Sequence, residues 1–288
     1  MKTRWLLFFC LLSCFGSWAE RPHWRLCTWN LHNFFDSIDD PYGDQVHKPE
    51  KVEKKLTDLS AALESIGADV VAVQEVEKRA LLEKLAQRSG YRYAILLPGN
   101  DSARGINVGL LSKVKVKGYA SHRNDRLPYV EGAPLDTKFS RDCLEVHLRT
   151  PEPVIVLVNH FKSKVGKGKS SDSKRRAQAM RVCKIVSDLE HAYPGQSLAV
   201  VGDMNDSLAS WPLEPLAHSG LYDPFVQLAP DLRYTLKHRG QPAALDQILI
   251  NKSLSRYWLP GSSQVSHEKL FKRCSDHYPM WLDFASSL

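Results

Sequence analysis

Ser275-Asp276-His277 stands just ahead of the last apolar run of this 288-residue chain, setting a carboxylate beside an imidazole. Such a pair can hold a metal ion or serve as a base next to a phosphate. Four more clusters of acid, amide or imidazole sit where the chain leaves an apolar run: Asn30, Gln74-Glu75, Asn159-His160 and Gly202-Asp203-Met204-Asn205. Taken singly, each has an ordinary explanation. Glu75 closes an apolar run and would normally be solvated. The Gly202-Asp203 pair with Asn205 is a turn signal. His160 follows VIVLVN and would simply pack. Asp246, inside LDQILI, is harder to explain, because a carboxylate flanked by Leu245 and Ile248 is costly to bury without a partner. His277 is the expected partner, since an Asp that fixes one imidazole tautomer makes a usable general base.

The residue types together suit one task. Glu, Asp and Asn oxygens match a hard cation, Mg²⁺ first and Mn²⁺ or Ca²⁺ after it, and thiols play no part. An Asp–His pair can deprotonate water, while a second His and an amide can donate to charge developing on a phosphoryl group. This is the inventory for metal-assisted hydrolysis of a phosphate ester.

These residues need rigid supports, and the hydrophobic pattern supplies them. Helices are predicted over residues 49–66, 78–88 and 174–191. The first has Val52, Leu56, Leu59, Leu63 and Ile66 at helical spacing, Pro49 in its first turn and Gly67 as its stop. Short runs rich in Val, Ile and Leu predict strands at 25–31, 69–73, 93–97, 108–111, 142–148, 154–158, 198–201, 245–250 and 280–284. Alternation of strands and helices with no repeat or linker predicts one α/β domain over residues 20–288. The polar clusters fall at strand ends, where such scaffolds place their chemistry.

Residues 1–19 read as a signal peptide: Lys2 and Arg4, an apolar run over 5–15, then Ser17-Trp18-Ala19 as the cleavage site. The run is too short to span a bilayer. Cys14 in Leu-Ser-Cys is a weaker lipoprotein alternative. The chain is therefore expected to be secreted or periplasmic, a monomer, and without stable membrane insertion. Loss of the signal takes the net charge from +7 to +5. That excess suits a polyanionic partner as well as plain solubility. Cys27, Cys143, Cys183 and Cys274 remain, compatible with one or two disulfides or with buried free thiols, and no CxxC points to zinc.

The segments TWNLHNFFD, VVAVQEVE, RGINVGLLS, FSRDCLEVHL, VNHFKSK, VVGDMND, LDQILI and SDHYP, in this order, resemble the endonuclease/exonuclease/phosphatase superfamily. Within it, TWNLHNFFD, EVEKRALLEKLA and NHFKSK are most similar to exported bacterial nuclease-like members. The resemblance implies a four-layer α/β sandwich: two packed, mainly antiparallel sheets flanked by helices. It implies Glu75 as principal metal ligand with Asn30 and Asp276 nearby. His277 would be the general base, oriented by Asp246. Asn205 and His160 would hold the phosphate oxygens, and Asp203 would position the water or assist the leaving group. Arg141 would contact substrate phosphate, with Arg104 a weaker equivalent. One departure stands out. Nuclease members carry a carboxylate on the strand matching residues 104–112, paired with the residue matching His160, and Arg-Gly-Ile-Asn offers none. The partner of His160 is left open.

Residues 161–181 hold Lys162, Lys164, Lys167, Lys169, Lys174, Arg175, Arg176 and Arg181 against Asp172 alone. A flexible basic loop beside His160 would suit the backbone of DNA or RNA; a solvated helix face is the other reading. No base-reading element is present, so little sequence preference is expected. The expected function is divalent-metal-dependent hydrolysis of nucleic acid, most simply as an endonuclease. Alternatives within the superfamily are a phospholipase C or sphingomyelinase, for which residues 254–260 are the only weak candidate for an exposed apolar hairpin, their aromatics being expected to pack instead, and a phosphomonoesterase. A non-catalytic binding module is disfavoured because every catalytic position carries suitable chemistry.

Overall fold

The computed structural model describes residues 23–41, 45–101, 104–164 and 169–286. The segment expected to be a signal peptide, with Cys14, and Gly166, Lys167 and Gly168, lie outside the described residues. In chain order the elements are β1 (His23–Phe34), α1 (Pro49–Ile66), β2 (Val70–Val76), α2 (Arg79–Arg88), β3 (Tyr93–Leu96), β4 (Asn107–Ser112), β5 (Lys115–Ser121), β6 (Cys143–Arg149), β7 (Val154–His160), α3 (Lys169–Ala192), β8 (Ser197–Asp203), α4 (Glu214–Ala217), β9 (Leu236–His238), β10 (Gln241–Ala243), β11 (Asp246–Ile250), α5 (Lys252–Ser255), β12 (Gln264–Val265), α6 (Lys269–Cys274) and β13 (Met280–Ala285).

Two sheets pack face to face. One has the strand order β12-β13-β1-β2-β4-β3 and the other β11-β8-β7-β6-β5. Each contains a single parallel pair, β1 with β2 and β7 with β8, and is otherwise antiparallel. Parallel neighbours need a long crossover, and α1 and α3 supply it. The expected four-layer sandwich is the architecture observed.

Alternation along the strands explains why the sheets read as continuous apolar runs. Val154, Val156 and Val158 of β7 face the other sheet in one core cluster, and Ile155 and Leu157 face α3 in a second. β8 divides the same way, Ala199 and Val201 against Leu198 and Val200. With both faces covered, neither needs polar residues. Outside the first sheet, α1 buries Leu56, Leu59, Leu63 and Ile66, and Gly67 ends it in the left-handed conformation with its N–H on the Leu63 carbonyl.

The structure decides between alternatives that the sequence left open. The four described cysteines are all free, three buried and Cys183 half-buried. Burial pushes every one of these thiols up, so they stay protonated; a core this large folds without staples. The third helix starts at Lys169, so most of the expected basic loop is helical. Residues 254–260 form no apolar hairpin: Trp258 is buried against Tyr222, ring centres 5.5 Å apart. Among the described residues no helix is long and apolar enough to cross a membrane.

Gly202 is the most confined of the described glycines. Its φ is +127°, and a Cβ there would overlap the Asn159 carbonyl oxygen across the β7–β8 pair. Gly118 has open space around it. We expect Gly202→Ala to cost at least about 2 kcal/mol in chemical denaturation and Gly118→Ala to change little. Equal stability of the two variants would show that the β7–β8 register does not require the glycine.

Candidate active site

The parallel pairs bring the ends of β1 and β2, and of β7 and β8, to one edge of the sandwich, where β1 packs on β8 and β11. Asn30 aligns with Gln74, His160 with Asp203, and Asp203 with Asp246. Both β1 and β2 lose register at this point, between Asn30 and Phe34 and between Gln74 and Val76. Glu75 therefore sits on a bulge inside β2 and not at its end, with φ +61°. A bulge re-aims its side chain, which is how a carboxylate leaves an apolar strand for the site. His32, Asn33 and Asn205 also have positive φ, at 50°, 50° and 54°. Left-handed residues other than glycine store strain and cluster where geometry is functional.

The buried centre is a seam between the sheets. Asp246 Oδ2 lies 2.7 Å from His277 Nδ1, and His277 Nε2 lies 3.8 Å from Asp203 Oδ2. Asn30 Nδ2 donates to the same Asp203 oxygen at 3.0 Å, and the Asn205 N–H donates to the other at 2.8 Å. His160 Nε2 stands 3.5 Å from Asp203 Oδ2, and its Nδ1 is buried without a hydrogen-bond partner among the described residues. Burial, aided by the neighbouring Asp246 carboxylate, raises Asp203 to about 7. Burial opposes charge on His277, but Asp246 and Asp203 outweigh it and hold the imidazolium up to about 10. Burial, then Arg141, His277 and Arg104, push His160 well down, so it is neutral and serves as a donor.

The SDH loop is pinned from beneath. Ser275 Oγ donates to the Asn30 carbonyl at 2.7 Å and accepts from the His277 N–H, while Trp29 Nε1 donates to the His277 carbonyl at 2.9 Å. Sequence reasoning named Ser275 only as a neighbour of Asp276 and His277, with no role of its own, and did not single out Trp29. A serine two residues before a functional His, able to close a local turn, was the available signal.

Glu75 Oε2 accepts from the Asn33 N–H at 2.8 Å and lies 3.8 Å from Arg104. Arg104 also donates to Asn33 Oδ1, so it belongs to the Glu75 side of the site. Asp276 is half-exposed, 3.7 Å from His32. Arg141 is buried, with Nε 2.9 Å from Asp101 and Nη1 donating to the Phe161 carbonyl, which also accepts from Asn205 Nδ2. Lys164 is exposed and paired with Asp206 at 2.8 Å. Lys162 is half-buried, and its charge and that of Arg141 act on Lys174, a neighbour that sequence reasoning left undistinguished within the basic run.

Four of the eight cations expected to form a track along residues 161–181 are paired with carboxylates, Lys164 among them. Arg175 is fully buried on Asp206 and Asp172, Arg176 pairs with Glu214, and Arg181 pairs with Asp125 at 2.6 Å. These arginines dock α3 onto its neighbours.

Two donor groupings could take a cation. Asp203, Asp246 and His277 bring ligand atoms within 4.8 Å of one another. Their carboxylates are fully buried and already hydrogen-bonded to His277, Asn30 and Asn205, so the grouping reads as a proton-handling unit. Glu75, Asn30 and Asp276, the set implied by the resemblance, offer only oxygens around a loop with two residues of positive φ. That donor chemistry fits a hard divalent ion.

In chelator, the stability contributed by the His277 charge is complete below its ordinary value of 6.5 and is lost as pH rises towards about 10. Urea melts of wild type and His277→Gln across that window should therefore converge as pH rises. Parallel curves would show that the imidazole is not held in its charged form.

The comparisons agree with this architecture. Residues 25–281 match the model of the endonuclease/exonuclease/phosphatase family. The human Nocturnin catalytic domain, solved with bound sulfate anion, superposes with TM-score 0.67 at 19% identity, covering 92% of this chain and 95% of that one. TDP2 from Caenorhabditis elegans gives 0.66 at 13%, covering 91% and 75%. An endonuclease/exonuclease/phosphatase family protein from Leptotrichia buccalis gives 0.62 at 17%, covering 91% and 99%. A search of curated proteins finds no match. With its ordered motifs, its double sheet and a family match over nearly all described residues, the chain belongs to the endonuclease/exonuclease/phosphatase family.

Proposed function

We propose that this chain is an exported, magnesium-dependent phosphodiesterase that cuts nucleic acid with little sequence preference. One observation carries the reading: the buried Asp246–His277 pair, 2.7 Å apart, lies in one seam with Asp203, Asn30 and His160. Asp246 holds Nδ1 of His277, leaving Nε2 to take the proton of the attacking water. Base work needs the neutral imidazole, and positive charge beside Glu75 and Asp276 lowers its proton affinity. A divalent ion held by Glu75, Asn30 and Asp276 would supply Lewis-acid stabilisation of phosphoryl charge.

Neutral His160 and the second Nδ2 hydrogen of Asn205 donate to the non-bridging oxygens. Arg141 and Lys174 add positive charge on that side. Asp203, raised to about 7, can carry the proton that the leaving oxygen needs. Supporting a diester of nucleic acid over a lipid, the β9–β10 hairpin beside His277 carries Lys237, His238 and Arg239, all exposed, while Trp258 of the expected apolar segment is packed away. Export rests on the Lys2, Arg4 and Ala19 pattern of the sequence.

The mature protein is to be assayed on supercoiled DNA, RNA, sphingomyelin and a phosphomonoester, with Mg²⁺ and with chelator. We expect nicking of DNA with Mg²⁺ only, and a loss of roughly 10² to 10⁴ in rate for His277→Ala and Glu75→Ala, with unchanged circular dichroism. Full activity in either variant, or faster release of choline than nicking, would overturn the reading.

A further inference from the structure

We propose that the cavity of about 740 Å³ between α1, α6 and the β9–β10 hairpin binds the phosphate backbone of a nucleic-acid strand on one side of the scissile bond. The inference rests on the nuclease reading and extends it to a second surface. Lys51 and Lys55 project from α1, Lys272 and Arg273 from α6, and Lys237 from the hairpin. The cavity opens onto His32, Asn33 and Asp276, so it adjoins the Glu75 side of the catalytic seam.

The pairing state of the cations decides between a structural and a binding role. Lys164, Arg175, Arg176 and Arg181 on the opposite flank are satisfied by carboxylates and hold the fold together. Among the described residues, none of the five cations named here has a carboxylate within ion-pair distance; in the same wall only Lys54 does, on Asp58. Lys55 donates to the His32 carbonyl, Lys51 lies 3.4 Å from His47 Nδ1, and Lys237 sits over the Tyr234 ring. Asp58 and Asp276 also line the cavity, and Glu75 and Asp276 act on Lys55, but Asp58 is taken by Lys54, so among the described residues the walls keep an excess of cations that repel each other. A polyanionic ligand would offset that repulsion. One phosphate is too little charge for five cations; a run of phosphodiesters, one charge each, matches the number and the length of the walls. Contact through backbone alone also agrees with the lack of any base-reading element.

The test uses the mature protein with Lys51→Ala and Lys272→Ala combined. Both side chains are exposed and lie outside the catalytic seam. Cleavage of bis(p-nitrophenyl) phosphate, a diester too small to reach the cavity, should stay within twofold of wild type and thereby reports an intact fold. KM for a labelled 30-nucleotide single strand should rise about tenfold, and the slope of log K against log salt should become shallower by roughly 1.4, about 0.7 per lysine. A paired-flank control, Lys164→Ala with Arg181→Ala, should leave the slope unchanged. An unaltered KM and slope in the first variant, or a shift seen only in the control, would overturn the proposal while leaving the nuclease reading intact. Failure of wild type to cut the strand at all would instead remove the nuclease reading, and this inference with it.

Discussion

Asp203 and Asp246 face each other on adjacent antiparallel strands, and two carboxylates side by side in a dry seam cannot both keep their charge without compensation. Much of the surrounding architecture answers that constraint. His277 brings an imidazolium to Asp246, Asn30 brings an amide from the other sheet to Asp203, and the Asn205 N–H closes the second oxygen of Asp203, while Asp246 Oδ1 is buried without a partner among the described residues. The C-terminal loop bearing His277 is fixed to β1 through Ser275 and Trp29, so chain segments nearly 250 residues apart meet in one hydrogen-bonded group. Removing one member leaves a buried charge exposed to its neighbour, which costs more than the lost bond itself.

The same edge of the sandwich is where the backbone is least relaxed. His32, Asn33 and Glu75 hold left-handed conformations where β1 and β2 lose register, Asn205 does so just after β8, and Gly202 adopts a conformation closed to other residues. A sequence optimised for stability would place glycine or asparagine at each such point; Glu75 and His32 are neither. Strain held by a packed double sheet is a way to aim side chains that an ideal strand would direct into the core.

Much of this was legible in the chain. The Pro49 start and Gly67 stop fixed both ends of α1, and the long Val, Ile and Leu runs marked the buried strands, because both faces of β7 and β8 are covered. β5 escaped notice because its residues are largely exposed and Lys115, Lys117 and Gly118 break the apolar pattern. The short β9–β10 hairpin and β12 offer too few residues for any period to register. Ordered motifs located the polar residues of the seam, but pairing is invisible to one-dimensional reading. The charge density of residues 161–181 looked like a binding loop, and Asp125, Asp206 and Glu214, which neutralise it, lie far away in sequence. The free cations of α1 and α6 attracted no attention, since 220 residues separate them and Asp and Glu intervene in both sequence neighbourhoods. Disulfides were compatible with four cysteines, and only the spatial arrangement could reject them.

In the proposed reading the two jobs are separate: Asp246 and His277 would handle the proton, and the oxygens of Glu75, Asn30 and Asp276 would hold the cation. Titration of Mn²⁺ into wild type, Glu75→Gln and Asp246→Asn, with free ion read by electron paramagnetic resonance, tests that division directly. Binding lost in Glu75→Gln and retained in Asp246→Asn is the expected result; binding retained in Glu75→Gln and lost in Asp246→Asn would put the ion among Asp203, Asp246 and His277 and contradict the account.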